Sequence, residues 1–321
     1  GLVTGACLAR ADQHVTCLDI DEKKIEDLEN GKIPIYEPGL EDLIKEKVKN
    51  NVLSFSSRID EAIRNTNVIF IAVGTPKNVE NDGADLSQVF SCAKVIAKNI
   101  KNNTLVILKS TVPVGTCDKV EEIIKLVNPS IDFDVVSNPE FLREGSAIFD
   151  FENPDRVILG TKNKDSILTL NSIYKKQVDN DFPIIFTKRR SSELIKYASN
   201  SMLAMRIIFI NEIADLCEKV GADVEDIALG IGLDKRIGPH FLNAGPGFGG
   251  SCFPKDARAL VKSGKNYSAP QGLLKAVIDG NEKRKKNLSK KIISIAKDKK
   301  NIGILGVTYK ANTDDIREAP S

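Results

Sequence analysis

Residues 68–73 read Val-Ile-Phe-Ile-Ala-Val, a continuous apolar run in which β-branched side chains predominate. Such a run is typical of a strand that is covered on both faces, as in a parallel sheet. Further strands are predicted at residues 15–18, 104–108, 134–136 and 157–159, with helices between them at residues 22–30, 86–99 and 117–127. This alternation of strands and helices predicts an α/β fold with a doubly wound parallel sheet over residues 1–190.

The pattern changes at residue 191. Residues 191–220 contain neither Gly nor Pro and carry apolar residues near helical spacing, which predicts one helix about 45 Å long. A helix of that length with apolar residues on more than one side is expected to be buried between domains or subunits. Because helical patterns continue at residues 224–231, 254–261 and 270–296, residues 191–298 are predicted to form an all-helical central domain around a long spine helix.

A new pattern begins in the last segment, residues 299–321. Residues 302–307 read Ile-Gly-Ile-Leu-Gly-Val and predict another buried strand, followed by a polar loop. A single strand and a loop have no partner to bury against, so this segment is interpreted as the stub of a third domain.

The composition of the 321 residues excludes several classes of protein. Hydrophobic residues make up 41% and charged residues 28%, which excludes disordered and low-complexity chains. A net charge of +2 indicates no nucleic-acid partner, and no run of ~18 apolar residues predicts a membrane-spanning helix. Six cysteines without a CxxC pair and only two histidines indicate neither a disulfide framework nor a metal site, which favours a reducing, cytoplasmic location.

The start of the chain has features of a dinucleotide-binding, Rossmann-like unit. Residues 1–9 form a small-residue helical pattern before the strand at 15–18, and Gly1 can fill the last position of the glycine-rich turn that precedes such a helix. Asp19 follows that strand 18 residues after Gly1, where an acid would accept the ribose hydroxyls. On the local pattern alone, Asp19 could equally be a surface acid at a strand end.

Four longer motifs carry a family resemblance. They are Pro-Ile-Tyr-Glu-Pro-Gly-Leu at 34–40, Lys-Ser-Thr-Val-Pro-Val-Gly-Thr at 109–116, Asn-Pro-Glu-Phe-Leu-Arg-Glu-Gly at 138–145 and Gly-Phe-Gly-Gly-Ser-Cys-Phe-Pro-Lys-Asp at 247–256. Together, and in this order, they resemble the UDP-glucose/GDP-mannose dehydrogenase family over essentially the whole chain. The resemblance implies an NAD domain (1–190, first strand missing), a central helical domain (191–298) and part of a C-terminal UDP-sugar domain (299–321). One departure is Asp12, where the family usually has Gly.

Cys252 is the candidate nucleophile. Glycines 247, 249 and 250 allow the backbone to approach a ligand closely, and Pro254 suggests that a helix starts directly after the cysteine. A helix N-terminus and the nearby Lys255 favour the thiolate, and Asp256 lies one turn further, where it could position a water or take a proton. The remaining cysteines lie in apolar periodic segments and are predicted to be structural: Cys7, Cys17, Cys92, Cys117 and Cys217.

Two pairs of polar residues lie four positions apart. Lys196 and Asn200 share one face of the predicted spine helix, and the resemblance implies that they stabilise the developing alkoxide and oxyanion. Glu140 and Glu144 follow Asn138-Pro139, which is interpreted as a helix start, so that both carboxylates would share a face. The resemblance favours Glu140 as the acid–base residue of hydrolysis; the choice among Glu140, Asp256 and water stays open.

The resemblance also implies the binding residues. The cofactor is NAD, and its set is Gly1, Asp19, Lys24, Thr75, Thr111, Glu144, Lys255 and Arg317. Thr111 would also contact the catalytic water. The nucleotide-sugar set is Phe141, Leu142, Arg143, Glu144, Lys196, Asn200, Arg236, Phe241, Leu242, Asn243, Ala244, Gly245, Gly249 and Lys310. Arg236 would reach the substrate of a neighbouring subunit, which implies at least a homodimer.

The implied reaction is the four-electron oxidation of UDP-glucose to UDP-glucuronate with two NAD⁺. The aldehyde formed first would be trapped by Cys252 as a thiohemiacetal, oxidised to a thioester and hydrolysed. Two alternatives stay open at this point. One is a related dehydrogenase for GDP-mannose or a UDP-N-acetylhexosamine, and the other is an inactive nucleotide-binding fragment.

Overall fold

A computed structural model describes residues 1–11, 13–78, 83–297, 299 and 301–321; Asp12 lies outside the described residues. The chain divides into two compact units, and the division falls within one helix. The first unit comprises Gly1–Pro76, Ala84–Lys196 and Asn312–Asp314. The second comprises Tyr197–Ala311 and Asp315–Ser321, together with Lys77, Asn78 and Gly83 among the described residues.

The first unit alternates strands and helices, as predicted. Its elements are α1 (Leu2–Arg10), β1 (Val15–Leu18), α2 (Glu22–Glu29), α3 (Leu40–Lys49), β2 (Leu53–Ser56), α4 (Ile59–Arg64), β3 (Val68–Ile71), α5 (Ser87–Asn99), β4 (Thr104–Leu108), α6 (Thr116–Val127), β5 (Phe133–Ser137), α7 (Ala147–Glu152), β6 (Val157–Gly160), α8 (Lys164–Ile173), α9 (Lys175–Asp179) and β7 (Ile184–Thr187).

The strands of this unit form parallel ladders. β1 pairs with β2, and a second sheet has the order β3-β4-β5-β6-β7. The one antiparallel pairing in the described part of this sheet joins β5 to β6 through Ser137 and Gly160 alone. Position 160 has room for glycine but not for a larger residue, because a Cβ atom there would lie 2.8 Å from the Cα of Arg189. The α/β fold with parallel sheets is confirmed.

Strand β4 shows why a continuous apolar run predicted a strand covered on both faces. All five of its residues are buried. Leu105 and Ile107 pack into one apolar cluster, while Val106 and Leu108 pack into the cluster on the opposite face. Because successive side chains point to opposite faces, a strand between two helical layers has apolar residues in succession, here Leu105 to Leu108, and the buried hydroxyl of Thr104 donates to the carbonyl of Lys101.

The second unit is helical. The long helix α10 (Arg189–Val220) begins in the first unit, and α11 (Val224–Gly232), α12 (Phe253–Asn266) and α13 (Gly272–Ile295) follow it. The predicted helical central region and its long helix are therefore confirmed, and α12 extends five residues beyond the predicted end at 261. No helix in the described part of the chain is both long and apolar enough to span a bilayer.

The predicted strand at residues 302–307 is wrong. These residues form no regular element, and the side chains of Ile304 and Leu305 are exposed. A strand needs a neighbouring backbone to accept and donate its hydrogen bonds, and no described residue pairs with this segment. The apolar pattern alone could not supply that partner.

Helix α10 is joined to the first unit by a buried carboxylate. Glu193 lies within its first turns, and its two oxygens accept the backbone N–H groups of Gly115 (2.7 Å) and Cys117 (2.8 Å) at the start of α6. Burial raises the pKa of Glu193, although both hydrogen bonds act to lower it. The carboxylate thus satisfies two N–H groups that have no partner within α6.

Replacing Glu193 by Ala should lower the free energy of unfolding by about 2–4 kcal/mol, because two buried N–H groups lose their acceptor. Glu193→Gln, which keeps one acceptor, should lose less. Denaturant unfolding checks this against Glu122→Ala, a change at an exposed position of the same helix α6. A loss at Glu193 no larger than at Glu122 would contradict the capping role.

Candidate active site

Asp19 lies directly after β1, at the carboxyl end of a parallel strand, where ligands bind in open α/β sheets. Its carboxylate accepts a hydrogen bond from the ammonium of Lys24 and another from the backbone N–H of Asp21. Partial burial acts to raise the pKa of Asp19, but these hydrogen bonds lower it below the ordinary value. Asp19 is therefore an anion, as an acceptor for ribose hydroxyls must be.

The other predicted cofactor residues of the first unit lie at the ends of neighbouring strands. Gly1 precedes α1, and a Cβ atom there would stand 3.3 Å from the carbonyl oxygen of Ala72, just beyond β3. The buried Thr75 donates its hydroxyl to the carbonyl of Thr111, beyond β4 (2.9 Å). A dinucleotide needs a helix N-terminus for its phosphates, small residues that allow close approach, and a carboxylate that accepts the ribose hydroxyls. These residues supply all three and therefore fit NAD.

Glu140 and Lys196 form an ion pair. Nζ of Lys196 lies 3.4 Å from Oε2 of Glu140, and the lysine side chain is only 6% exposed. The same ammonium stands 5.1 Å from the ring centre of Phe141. A buried lysine held between a carboxylate and an aromatic face is a fixed positive charge, which suits stabilisation of a developing alkoxide.

The predicted helix start at Asn138-Pro139 is wrong. Residues 138–146 form a loop, and α7 begins only at Ala147, so Glu140 and Glu144 do not share a helical face. The Glu140 carboxylate bonds the N–H of Leu142 two residues on (2.9 Å), which gives the backbone an alternative to a helical turn.

Glu37 holds the far end of this loop. Its buried carboxylate accepts the N–H groups of Gly145 and Ala147, both at 2.8 Å. Gly145 has φ +81°, where a Cβ atom would also stand 2.6 Å from the carbonyl oxygen of Asn312. The motif at 34–40 therefore has a local function that the sequence did not reveal: it shapes the loop at 138–146.

The side chains on this loop face different surroundings. Leu142 and Glu144 are half-buried. Arg143 is bound to Asp150 through its backbone N–H (2.8 Å) and its guanidinium, and Asp150 raises the pKa of Arg143. An arginine held in this way can contact a substrate only through the part of its guanidinium that remains exposed.

Lys109 is a site residue that the sequence reasoning missed. It is buried at the end of β4, and its Nζ donates to Oδ1 of Asn138 (3.2 Å), which also accepts the hydroxyl of Tyr174. Burial lowers the pKa of Lys109 to about 8; the negative charge of Glu140 opposes this shift and the positive charge of Lys196 adds to it. A lysine directly after the apolar run Leu105–Leu108 was the signal that could have identified it.

The second unit contains a buried carboxylate with two partners. Oδ1 of Asp256 accepts Nζ of Lys255 (2.7 Å), and Oδ2 accepts Nδ2 of Asn200 (2.6 Å). Asp256 is 1% exposed, so these donors replace the water that an anion needs. The arrangement fixes the amide of Asn200, which lies four residues after Lys196 on α10.

Cys252 is the N-cap residue of α12, and Pro254 occupies its first turn. The thiol is half-buried and lies 3.5 Å from the hydroxyl of Ser251. The structural cysteines differ, because burial raises the pKa of Cys7 to about 12 and that of Cys17 to about 11. Among the six, Cys252 combines partial exposure with a helix N-terminus, which favours a reactive thiolate.

Residues 309–319 pack against the glycines that precede Cys252. A Cβ atom on Gly250 would stand 2.8 Å from the ring of Tyr309, and one on Gly249 would stand 2.4 Å from the carbonyl oxygen of Glu318. The N–H of Gly250 also donates to the carbonyl of Arg317 (2.8 Å). These contacts bring the predicted residues Gly249 and Arg317 close together. Nζ of the predicted residue Lys310 lies 5.5 Å from the centre of the Tyr309 ring.

The remaining predicted substrate residues lie before the glycines. Leu242 is buried, while Phe241 (φ +61°) and Asn243 are exposed and Ala244 and Gly245 are half-buried. Arg236 is exposed and bound to Asp234 of its own turn, with Nη2 at 2.6 Å. No group of three His, Cys, Asp or Glu side chains in the described part of the chain could hold a metal ion.

The whole chain aligns with known proteins. Residues 1–178 match the NAD binding domain of the UDP-glucose/GDP-mannose dehydrogenase family, and residues 190–283 match its central domain. A UDP-glucose 6-dehydrogenase of Rhizobium meliloti (strain 1021) is 50% identical over 326 residues, which cover 100% of this chain and 75% of that protein.

Two solved structures have the same fold. A UDP-glucose dehydrogenase from Pyrobaculum islandicum aligns with a TM-score of 0.93 at 37% identity, covering 100% of this chain and 74% of that one. A UDP-D-ManNAc dehydrogenase from Pyrococcus horikoshii aligns with a TM-score of 0.88 at 26% identity, covering 100% and 76%. The resemblance of the four motifs to a family of NAD-dependent oxidoreductases is therefore confirmed.

Replacing Lys109 by Met should change how stability depends on pH. Between pH 8 and the ordinary lysine pKa of 10.5, the unfolded chain holds a proton that the folded protein has released, so the free energy of unfolding rises with pH. Over this window the free energy of unfolding of the native protein should rise by about 3 kcal/mol relative to that of Lys109→Met, because other titrating groups contribute equally to both.

Denaturant unfolding at several pH values within that window checks this, with Lys119→Met on the exposed face of α6 as the control. A native protein and a Lys109→Met variant with the same pH slope would show that the buried ammonium does not titrate in this window.

Proposed function

The chain belongs to the UDP-glucose/GDP-mannose dehydrogenase family, and on that premise we propose that it oxidises UDP-glucose to UDP-glucuronate in two NAD-dependent steps. The observation that carries this proposal is the half-buried thiol of Cys252 at the N-terminus of α12, one turn before the Asp256–Asn200 pair. An oxidation that stops at an aldehyde needs no nucleophile, whereas oxidation to an acid does.

In this proposal, the cofactor contacts are Gly1, Asp19, Lys24, Thr75, Thr111, Glu144, Lys255 and Arg317. NAD⁺, when bound by these residues, would supply the hydride acceptor for both oxidation steps. The Asp19 carboxylate would repel a 2′-phosphate, so NAD is favoured over NADP.

In the first oxidation, a water molecule takes the proton of the C6 hydroxyl as the hydride leaves C6. Lys196, fixed beside Glu140, stabilises the negative charge on oxygen. Sγ of the Cys252 thiolate then adds to the aldehyde carbon; Asn200 donates a hydrogen bond to the oxygen, which takes a proton from water and becomes the hydroxyl of a thiohemiacetal. The Asp256 carboxylate supports this by holding the Asn200 amide in one orientation.

The second oxidation converts the thiohemiacetal to a thioester, with loss of one hydride and one proton. Water then adds to the thioester carbon, the C–S bond breaks, and the Cys252 thiolate is restored. Glu140 is the proposed acid–base residue of this hydrolysis, and Thr111 a contact of the attacking water. Lys196 and Asn200 serve again as the oxyanion donors.

UDP-glucose is preferred over other nucleotide sugars on the strength of the relatives. The relative from Rhizobium meliloti at 50% identity and the Pyrobaculum structure at 37% carry that substrate in their names, whereas the UDP-D-ManNAc enzyme is 26% identical. The proposed contacts are Phe141, Leu142, Arg143, Glu144, Lys196, Asn200, Phe241, Leu242, Asn243, Ala244, Gly245, Gly249 and Lys310, with Arg236 acting on a neighbouring subunit.

The domain boundaries proposed for these functions are residues 1–190 for NAD binding, 191–298 for dimerisation and substrate binding, and 299–321 as part of a UDP-sugar-binding domain. A cytoplasmic location is proposed because none of the six cysteines forms a disulfide, as is usual in a reducing compartment.

The central test is the ratio of NADH formed to UDP-glucose consumed. We expect two NADH per UDP-glucose for the native protein, and a steady-state kcat roughly a thousandfold or more lower for Cys252→Ser, whose ester would hydrolyse slowly. Cys92→Ser, a half-buried cysteine on α5, serves as the matched control.

Other outcomes of this experiment separate the alternatives. Turnover of GDP-mannose or a UDP-N-acetylhexosamine in place of UDP-glucose would assign a different sugar, and no NADH from any of them would indicate an inactive protein. Native activity in Cys252→Ser would contradict the thioester mechanism.

A homodimer is proposed from the exposed apolar side chains on α10. Met202, Phe209 and Leu216 recur every seven residues, and Val220 continues the stripe. Exposed apolar residues at this spacing are typical of helices that pack lengthwise against another helix.

Sedimentation should show a dimer at micromolar concentration for the native protein, and Phe209→Glu should shift it toward monomer. Glu218→Gln, at an exposed position on the opposite side of the same helix, should leave the dimer intact. A native monomer with full activity would remove the dimer and the role of Arg236 in a neighbouring subunit.

A further inference from the structure

Asn281 is a buried residue of α13 that belongs to none of the proposed catalytic, cofactor or substrate sets. Its Oδ1 accepts the backbone N–H of Phe248 (2.8 Å), and its Nδ2 donates to the carbonyl of the same residue (3.0 Å). One side-chain amide therefore satisfies both backbone groups of one loop residue, as a neighbouring strand would. A half-satisfied amide at 2% exposure would be costly, so the contact specifies one loop conformation.

Gly247 shows how close this contact is. A Cβ atom there would stand 2.6 Å from Oδ1 of Asn281, and the residue has φ +112°. Any larger residue at 247 would displace the Asn281 oxygen. The motif thus needs this glycine in part because the Asn281 amide occupies the space.

Two more side chains hold the same loop, which we define as the glycine loop, residues 245–250. Oδ1 of Asn211 on α10 accepts the N–H of Gly245 (2.8 Å), and Nε of Arg284 on α13 donates to the carbonyl of Gly245 (3.0 Å). The guanidinium of Arg284 also pairs with Asp215. Both backbone groups of Gly245 and of Phe248 are therefore bound by side chains from helices.

The loop is joined directly to the nucleophile. The Phe248 ring packs edge-on against the ring of Phe253, with centroids 6.1 Å apart, and Phe253 is the residue after Cys252. Phe248 is also buried among Ala204 and Leu274. A glycine-rich loop has high conformational freedom when it is not held, so ordering it in advance removes a cost from substrate binding.

We propose that Asn281 is a positioning residue, which fixes the glycine loop in the conformation that binds UDP-glucose and presents Cys252. This inference rests on the proposed function, and it adds to that function a residue that touches neither the substrate nor the cofactor. Its effect should be larger in the KM for UDP-glucose than in the KM for NAD⁺, because six of the eight proposed cofactor contacts lie within residues 1–144, outside this loop, and only Lys255 and Arg317 lie near it.

Asn281→Ala removes both hydrogen bonds, and Asn287→Ala is the matched control, because Asn287 is an exposed asparagine on the same helix. We expect the KM for UDP-glucose to rise about tenfold or more in Asn281→Ala, with the KM for NAD⁺ within about twofold of native. Assays are run well below the melting temperature of each variant, so that loss of folded protein does not enter.

Asn281→Asp gives a second, independent test. Its carboxylate still accepts the N–H of Phe248 but cannot donate to the carbonyl, whereas the protonated acid regains an O–H donor. The ratio of variant to native KM for UDP-glucose should therefore fall as the pH is lowered from about 8 to about 5.5. A residue with only a general structural role would not produce this recovery.

Hydrogen–deuterium exchange of residues 245–252 is the readout that does not need turnover. Exchange at the Phe248 amide should be at least about tenfold faster in Asn281→Ala than in Asn287→Ala. If exchange and KM in both Asn281 variants match Asn287→Ala, the inference is overturned. If the native protein gives no NADH from UDP-glucose while the loop exchange still rises, the proposed function fails and the assignment of Asn281 as the clamp of this loop is supported.

Discussion

One buried polar face of helix α10 is the constraint on which the site depends. Glu193, Lys196, Asn200 and Asn211 recur at helical spacing, and each is less than a tenth exposed. Buried polar side chains usually have a partner, and each of these four has at least one: the N-terminus of α6, Glu140, Asp256 and the N–H of Gly245, although Nδ2 of Asn211 has none among the described residues. One helix thus carries an anchor, a cation, an amide donor and a loop contact.

This arrangement explains how the charged side chains of Lys196 and Asp256 can be buried. Lys196 and Asp256 would each be costly to bury alone, and each is paired with a group of opposite charge. Such pairs are fixed before any substrate arrives, so no reorganisation accompanies the charge that develops on a substrate oxygen. The thiol of Cys252 is left half-exposed, as a nucleophile must be.

Much of the fold could be predicted from the sequence, because buried parallel strands such as β4 consist mostly of apolar residues and α10 lacks breakers. The strand predicted at 302–307 failed because a strand depends on a partner that a local pattern does not contain. The helix expected after Pro139 failed because Glu37, a hundred residues away, bonds the loop at Gly145. Lys109 and Asn281 were missed for the same reason: their importance comes from buried long-range contacts, whereas the Cys252 motif is local.

The central claim is that carbon 6 of the substrate passes through a covalent bond to Cys252. The most direct measurement is acid quenching of the native protein during turnover of UDP-glucose and NAD⁺, followed by peptide mapping by mass spectrometry. We expect a UDP-glucuronyl group on the peptide that contains Cys252. Mild alkali or hydroxylamine should release this group, because both cleave thioesters. Full turnover with no adduct, or with the adduct on another residue, would contradict it.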